Sequence, residues 1–167
     1  MITTTLNRIR EHRPCTDRWE HLLFTLKKTK ADDEPLSLEF ILDVNGLSDA
    51  LWCLRAAPEY NHQWRLFAFW CWRQQGEDTG DTAHAAFIAA CKTGSYGYIN
   101  DAGRVVSGSI EVSTLNDFFA PYAAYSAAED ATSSTLYSGQ SYDQIRNEQE
   151  KKLRKIFRTG KFHEEEE

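Results

Sequence analysis

The segment from Glu59 to Gln75 constrains the fold more than any other, because its apolar residues cover more than one face of a helix. Trp64, Phe67, Ala68 and Cys71 recur at helical spacing, with Phe69, Trp70 and Trp72 beside them. A helix apolar over so broad a surface has to be wrapped by other elements. Its large side chains are worth about 1.5 to 3 kcal/mol each when fully buried. The 167 residues are enough for one such core, since a chain of this length buries roughly 70% of its unfolded surface.

The flanking sequence supplies the wrapping helices. Thr5 to Arg13 reads as a short helix stopped before Pro14. Asp17 and Glu20 have the spacing of a capping box, and Trp19, Leu22, Leu23 and Leu26 then form a stripe that should face the core. Lys27, Lys28 and Lys30 suit the negative pole at the end of that helix. An acidic linker, Ala31 to Glu34, leads to Pro35 in the first turn of a helix through Leu38, Ile41 and Leu42, which stops at Asn45-Gly46. Ser48 is expected to cap the next helix, containing Leu51, Trp52 and Leu54 and ending near Pro58.

Beyond the central helix and a loop at Gln75 to Gly80, a small-residue helix runs through Ala86, Phe87, Ala90 and Cys91 to Gly94. The pattern then changes. Tyr96 to Ile99 and Arg104 to Val106, joined by Asn100-Asp101-Ala102-Gly103, have the character of a hairpin, with a third short strand at Ser107 to Val112. Thr114 opens a helix through Leu115, Phe118, Phe119 and Tyr122, kinked or restarted at Pro121, and Ala123, Ala124, Ala127, Ala128 and Ala131 permit close packing. A final helix runs from about Tyr142 to Phe157 with Ile145, Leu153 and Ile156 turned inward. The expected fold is mainly α: one helical-bundle domain over residues 1–158, of about six or seven helices, with a hairpin insertion at 96–112. Residues 159–167, ending in four glutamates, read as a flexible charged tail.

The residues offer little chemistry. Cys15, Cys53, Cys71 and Cys91 form no C-x-x-C pair, and His12 with Cys15 is the sole close His/Cys pair, so neither a metal nor another cofactor is expected. Cys53, Cys71 and Cys91 lie among apolar residues and read as core packing. There is no G-x-S-x-G, H-E-x-x-H or Walker-type loop. Lys92-Thr93-Gly94 matches a tripeptide of β-lactamases but lacks their S-x-x-K, and reads as a helix end. A catalytic role is therefore not expected. No long apolar run or leader pattern is present, which points to a cytoplasmic protein, in a bacterial or host cell.

Two surfaces remain as candidates for binding. The hairpin either packs its side chains inward or presents Tyr96, Tyr98, Asn100, Asp101 and Arg104 to a partner protein, Tyr and Arg being common interface anchors. Lys151, Lys152, Arg154, Lys155 and Arg158, with Lys161 beyond, either form a solvated helix end or contact nucleic acid. The formal charge of −6 disfavours nonspecific phosphate binding and suits a basic protein partner.

At Asn45-Gly46-Leu47-Ser48-Asp49-Ala50-Leu51-Trp52-Cys53-Leu54-Arg55-Ala56 and Arg65-Leu66-Phe67-Ala68 the chain resembles a group of bacterial and bacteriophage helical immunity proteins. The resemblance covers roughly residues 6–75 and the charged last helix. Members of that group continue from the central helix into long Ala-rich helices, where this chain places its Tyr/Gly/Ser insertion. The resemblance implies a protein that neutralises another by occlusion, either a toxin or a host-defence effector such as a CRISPR complex, and it assigns no functional residues.

Overall fold

The computed structural model describes residues 1–73, 97–99, 105–107, 120–121, 124–125, 127–129 and 140–163. These residues are mainly helical, with β1 (Thr3–Thr4), α1 (Leu6–Glu11), α2 (Thr16–Thr25), β2 (Leu36–Ser37), α3 (Leu38–Asn45) and α4 (Leu47–Cys53) in chain order. Two 3₁₀ turns, Leu54–Ala56 and Pro58–Tyr60, lead into α5 (Asn61–Arg73). Strands β3 (Gly97–Ile99) and β4 (Val105–Ser107) and the last helix α6 (Tyr142–Thr159) follow. Among the described residues, no helix is long and apolar enough to cross a membrane.

One core runs through the described elements. Trp64, Phe67, Ala68 and Cys71 of α5 are all buried, as their spacing predicts, in the same cluster as Leu38, Ile41 and Leu42 of α3 and Ile145, Leu153, Ile156 and Phe157 of α6. The Trp64 indole meets the Phe157 ring edge-on, with centroids 6.1 Å apart. Its N–H donates to the Ala57 carbonyl at 3.0 Å. Ala120, Ala124 and Ala128, one helical turn apart, are buried against this core, and the Gln149 amide donates to the Ala128 carbonyl at 2.9 Å. Small residues on one face allow that close approach.

Helix ends account for most departures from the sequence reading. The expected capping box at Asp17 is absent: α2 starts from Cys15, which makes no side-chain cap, and Asp17 lies in the first turn, where its charge still favours the helix dipole. At the other end, the Lys27 and Lys28 amides donate to the Phe24 and Leu23 carbonyls, a Schellman pair. Lys27 occupies the left-handed position with φ 55°, where glycine is usual. The Lys28 ammonium bridges Asp32 and Glu34, which turns the acidic linker into a clasp. Of the α2 stripe, Leu22 is fully buried, whereas Trp19, Leu23 and Leu26 are half-buried.

A two-stranded ribbon that the sequence reading lacks joins β1 to β2, pairing Thr3 with Ser37 and Thr4 with Leu36 antiparallel. The Ile2 amide donates to the Phe157 carbonyl and the Leu38 amide to the Ile2 carbonyl, threading Ile2 between α6 and α3. Pro35 precedes this ribbon instead of opening the helix; Ser37 is the α3 cap and accepts from the Glu39 amide at 3.1 Å.

Gly46 joins α3 to α4 with φ 85° and ψ 177°, and it stands at the N-cap of α4 that Ser48 was expected to fill. That backbone region is essentially restricted to glycine. A Cβ there would touch nothing within 4 Å, so the cost of one is conformational. Gly46→Ala is expected to lower stability by about 1 to 3 kcal/mol, read from chemical unfolding; a loss below the error of the melt would contradict the strain.

Helix α6 begins with a capping box between Ser141 and Gln144 and ends at Gly160 in the left-handed region, φ 73°. Beyond it, Phe162 and His163 are hydrogen-bonded to α5 and α6. The Phe162 amide donates to Gln63, and the Lys152 ammonium donates to the His163 carbonyl. That ammonium lies 5.4 Å from the Trp70 ring centre and 4.7 Å from that of Phe162. Residues 164–167 lie outside the described residues.

The hairpin is present as β3 paired antiparallel with β4, Tyr98 opposite Val106 and Ile99 opposite Val105. The third strand predicted over Ser107 to Val112 falls, beyond Ser107, outside the described residues, as do the small-residue helix before Gly94 and the helix expected at Thr114 to Phe119.

Candidate binding cleft

Residues of α2 and α4 line a cleft of about 280 Å³. Its walls are aromatic and aliphatic: Trp19 and Leu22 from α2, Trp52 from α4, Ile9 from α1, Pro14 from the segment between α1 and α2, Ile41 from α3, and Tyr125. Cys15 lies at its edge with an exposed thiol. Just before it, Arg13 has φ 54° ahead of Pro14, a left-handed geometry that is costly for a residue with a Cβ.

One end of the cleft is polar. The Asn45 amide donates to the Asp49 carboxylate at 2.9 Å and to the Arg18 carbonyl at 3.2 Å. Both contacts are to acceptors, which fixes the orientation of the amide and leaves its Oδ1 buried without a partner. The Arg18 guanidinium reaches towards Asp49 with a closest approach of 3.7 Å, and its side chain is 61% exposed against 21% for Asp49. This is an ion pair without hydrogen-bond geometry.

The walls are braced from behind. Arg146 of α6 donates to Glu129 at 2.9 Å and to the Ser48 hydroxyl at 2.7 Å, and Ser48 donates onward to Glu129. Ser48, taken from sequence as a cap, thus holds α4 to α6. The Arg55 guanidinium covers the Trp52 ring at 4.3 Å and donates to the Trp52 carbonyl, which fixes the indole in place.

These groups are arranged for contact rather than for bond-making. Burial pushes the Cys53 thiol up to about 12, and Cys71 also lies well above its ordinary value for the same reason. Both thiols stay protonated at neutral pH, as core packing requires. Burial, then the positive charge of Arg55, pulls His12 below the ordinary histidine value, so its imidazole is neutral at pH 7. Among the described residues, no group of three or more His, Cys, Asp or Glu is placed to hold a metal ion.

The binding residues picked from sequence fall elsewhere. Tyr96, Asn100, Asp101 and Arg104 lie outside the described residues, and Tyr98 is placed only as a position in β3. In the basic set, Lys151 and Lys155 are exposed. Lys152 is 5% exposed and held under Phe162 and Trp70. Arg154 donates to Glu39, Asp43 and Glu150, and Arg158 donates to Glu39. Lys152 and Arg154 are thus turned to the protein's own carboxylates, carbonyl and rings, while Arg158 pairs with Glu39 and stays exposed.

That network makes α3 and α6 sensitive to acid. Hydrogen bonding from Arg158, and then from Arg154, holds the Glu39 carboxyl below the usual glutamate value despite its burial. A carboxyl depressed on folding adds stability above its unfolded value of about 4.3 and loses it as pH falls through its folded value. Glu39→Gln is expected to flatten the acid side of the stability profile below about pH 4.3, read as urea midpoints at stepped pH; an unchanged slope would contradict the pairing.

Arg18, Trp19, Asn45, Asp49, Trp52 and Tyr125 were not marked from sequence as a site. The available signal was a Trp beside a charge on each of two consecutive stretches, Arg18-Trp19 and Asp49 to Trp52, in segments otherwise explained as core. No protein-family model, curated protein or solved structure matches this chain.

Proposed function

We propose that the chain is a non-catalytic binding protein that receives an anchor side chain of a partner protein in the α2–α4 cleft and blocks that partner by occlusion. The observation that carries this reading is the size and lining of the cleft. Ligand sites for small molecules span about 300 to 1,000 Å³, and 280 Å³ suits a single large side chain. Trp, Tyr and Arg at its walls are the residue types that dominate interface energetics.

The formal charge of −6 favours a basic partner. The resemblance to helical immunity proteins supplies the narrower form of the reading, in which the partner is a toxin or a host-defence effector. The hairpin at 96–112 is the second contact in this reading, with Tyr96, Tyr98 and Arg104 as its anchors.

Photo-crosslinking tests the proposal. A benzophenone maleimide on Cys15, in a Cys91→Ser background, is expected to capture one protein from a bacterial lysate, and Trp19→Ala with Trp52→Ala is expected to abolish that product without changing helical circular dichroism. Capture that persists in the double variant, or capture of nucleic acid alone, would overturn it.

A further inference from the structure

We infer that the Asp49 end of the cleft is a cation subsite, filled in the free protein by its own Arg18 and taken over on binding by an arginine or lysine of the partner protein. The inference rests on the cleft being the partner site and adds the chemistry of the group that enters it.

The polar end offers two acceptors beside the Arg18 guanidinium. Asn45 Oδ1 is buried without a donor, and the Asp49 carboxylate receives one hydrogen bond, from Asn45. Once Arg18 swings aside, an incoming ammonium or guanidinium would find the Asp49 carboxylate to pair with, whereas an incoming carboxylate would meet like charge. The approach is lined by Trp19, Trp52 and Tyr125, whose apolar surfaces suit the methylene stem of such a side chain and whose π faces attract its charged head. Trp52 already carries Arg55 at 4.3 Å, so cation stacking is in use on this ring.

Arg18 has the behaviour of a placeholder. It approaches Asp49 no closer than 3.7 Å and remains 61% exposed, so swinging outward forfeits little, as for other exposed pairs. A partner side chain that enters along the aromatic walls can make the closer, desolvated contact. Arg18 therefore competes with the ligand, and removing it should tighten binding, an effect opposite to that of removing a structural contact.

The test is a titration of the ¹⁵N-labelled full chain with N-acetyl-argininamide and N-acetyl-lysinamide, read at the indole N–H signals of Trp19 and Trp52. Saturable shifts are expected, weakened about three- to tenfold by Asp49→Asn and strengthened severalfold by Arg18→Ala, with melting curves confirming that both variants fold. The neutral citrulline analogue and N-acetyl-glutamate amide are the controls. Equal binding of either control, or weaker binding in Arg18→Ala, would overturn the inference. If N-acetyl-tryptophanamide shifts the signals and the cationic amides do not, the cation subsite fails and the cleft reading stands. If no probe shifts them, both fail.

Discussion

Trp64→Ala is expected to lower unfolding free energy by about 3 to 5 kcal/mol, a large share of the about 5 to 15 kcal/mol that holds a domain folded. The side chain is fully buried and lies between Tyr60, at 6.0 Å, and Phe157, at 6.1 Å, ring centre to ring centre. Its loss leaves a cavity at the junction of α5 and α6. The Ala57 carbonyl keeps the Tyr60 amide as a donor, so Trp64→Phe should lose about 1 to 2 kcal/mol, for the missing hydrogen bond and the smaller ring. Urea unfolding of the two variants measures both. A cost for Trp64→Ala within 1 kcal/mol of that for Phe would show that ring volume is not what holds the junction.

Ile2→Ala is expected to cost about 2 to 5 kcal/mol, and Ile2→Val about 0.5 to 1.5 kcal/mol. Residues so near a terminus are ordinarily tolerant, because few contacts hold them. Here the Ile2 side chain is fully buried, and its backbone joins two helices through the Phe157 carbonyl and the Leu38 amide. Two residues on, the buried Thr4 hydroxyl donates to the Ala56 carbonyl at 2.6 Å, closing the same seam. Denaturant midpoints of the two Ile2 variants and of Thr4→Val read out this thread. A change below 0.5 kcal/mol for Ile2→Ala would mean that the segment does not stay docked in solution.

What could be read from the sequence follows from the range of the forces involved. The inward sets Trp64, Phe67, Ala68, Cys71 and Ile145, Leu153, Ile156 were legible, because burial on one side of a helix writes itself as period along the chain. The hairpin was legible from its turn residues, and β3 and β4 pair where the pattern places them. The ribbon of Thr3–Thr4 with Leu36–Ser37 was not, since two residues are too few to show alternation.

Charged residues were misleading for a related reason. Arg154 looks solvated when only its own helix is considered, yet Glu39 and Asp43, distant in sequence, supply its partners. Lys152 looked equally exposed until Phe162 and Trp70 closed over it. The cleft was hidden by the same limit. Trp19 was assigned to a core stripe of which Leu22 alone is fully buried, and nothing along the chain signals that Arg18 stands opposite Asp49.

The affinity of the cross-linked partner for the intact protein and for Trp19→Ala/Trp52→Ala decides most directly whether the cleft is where binding occurs. Titration calorimetry is expected to show a loss of roughly tenfold or more in the double variant, in line with truncation of interface anchors, at a temperature where its circular dichroism shows it folded. Unchanged affinity in a folded double variant would contradict the assignment of the cleft as the partner site.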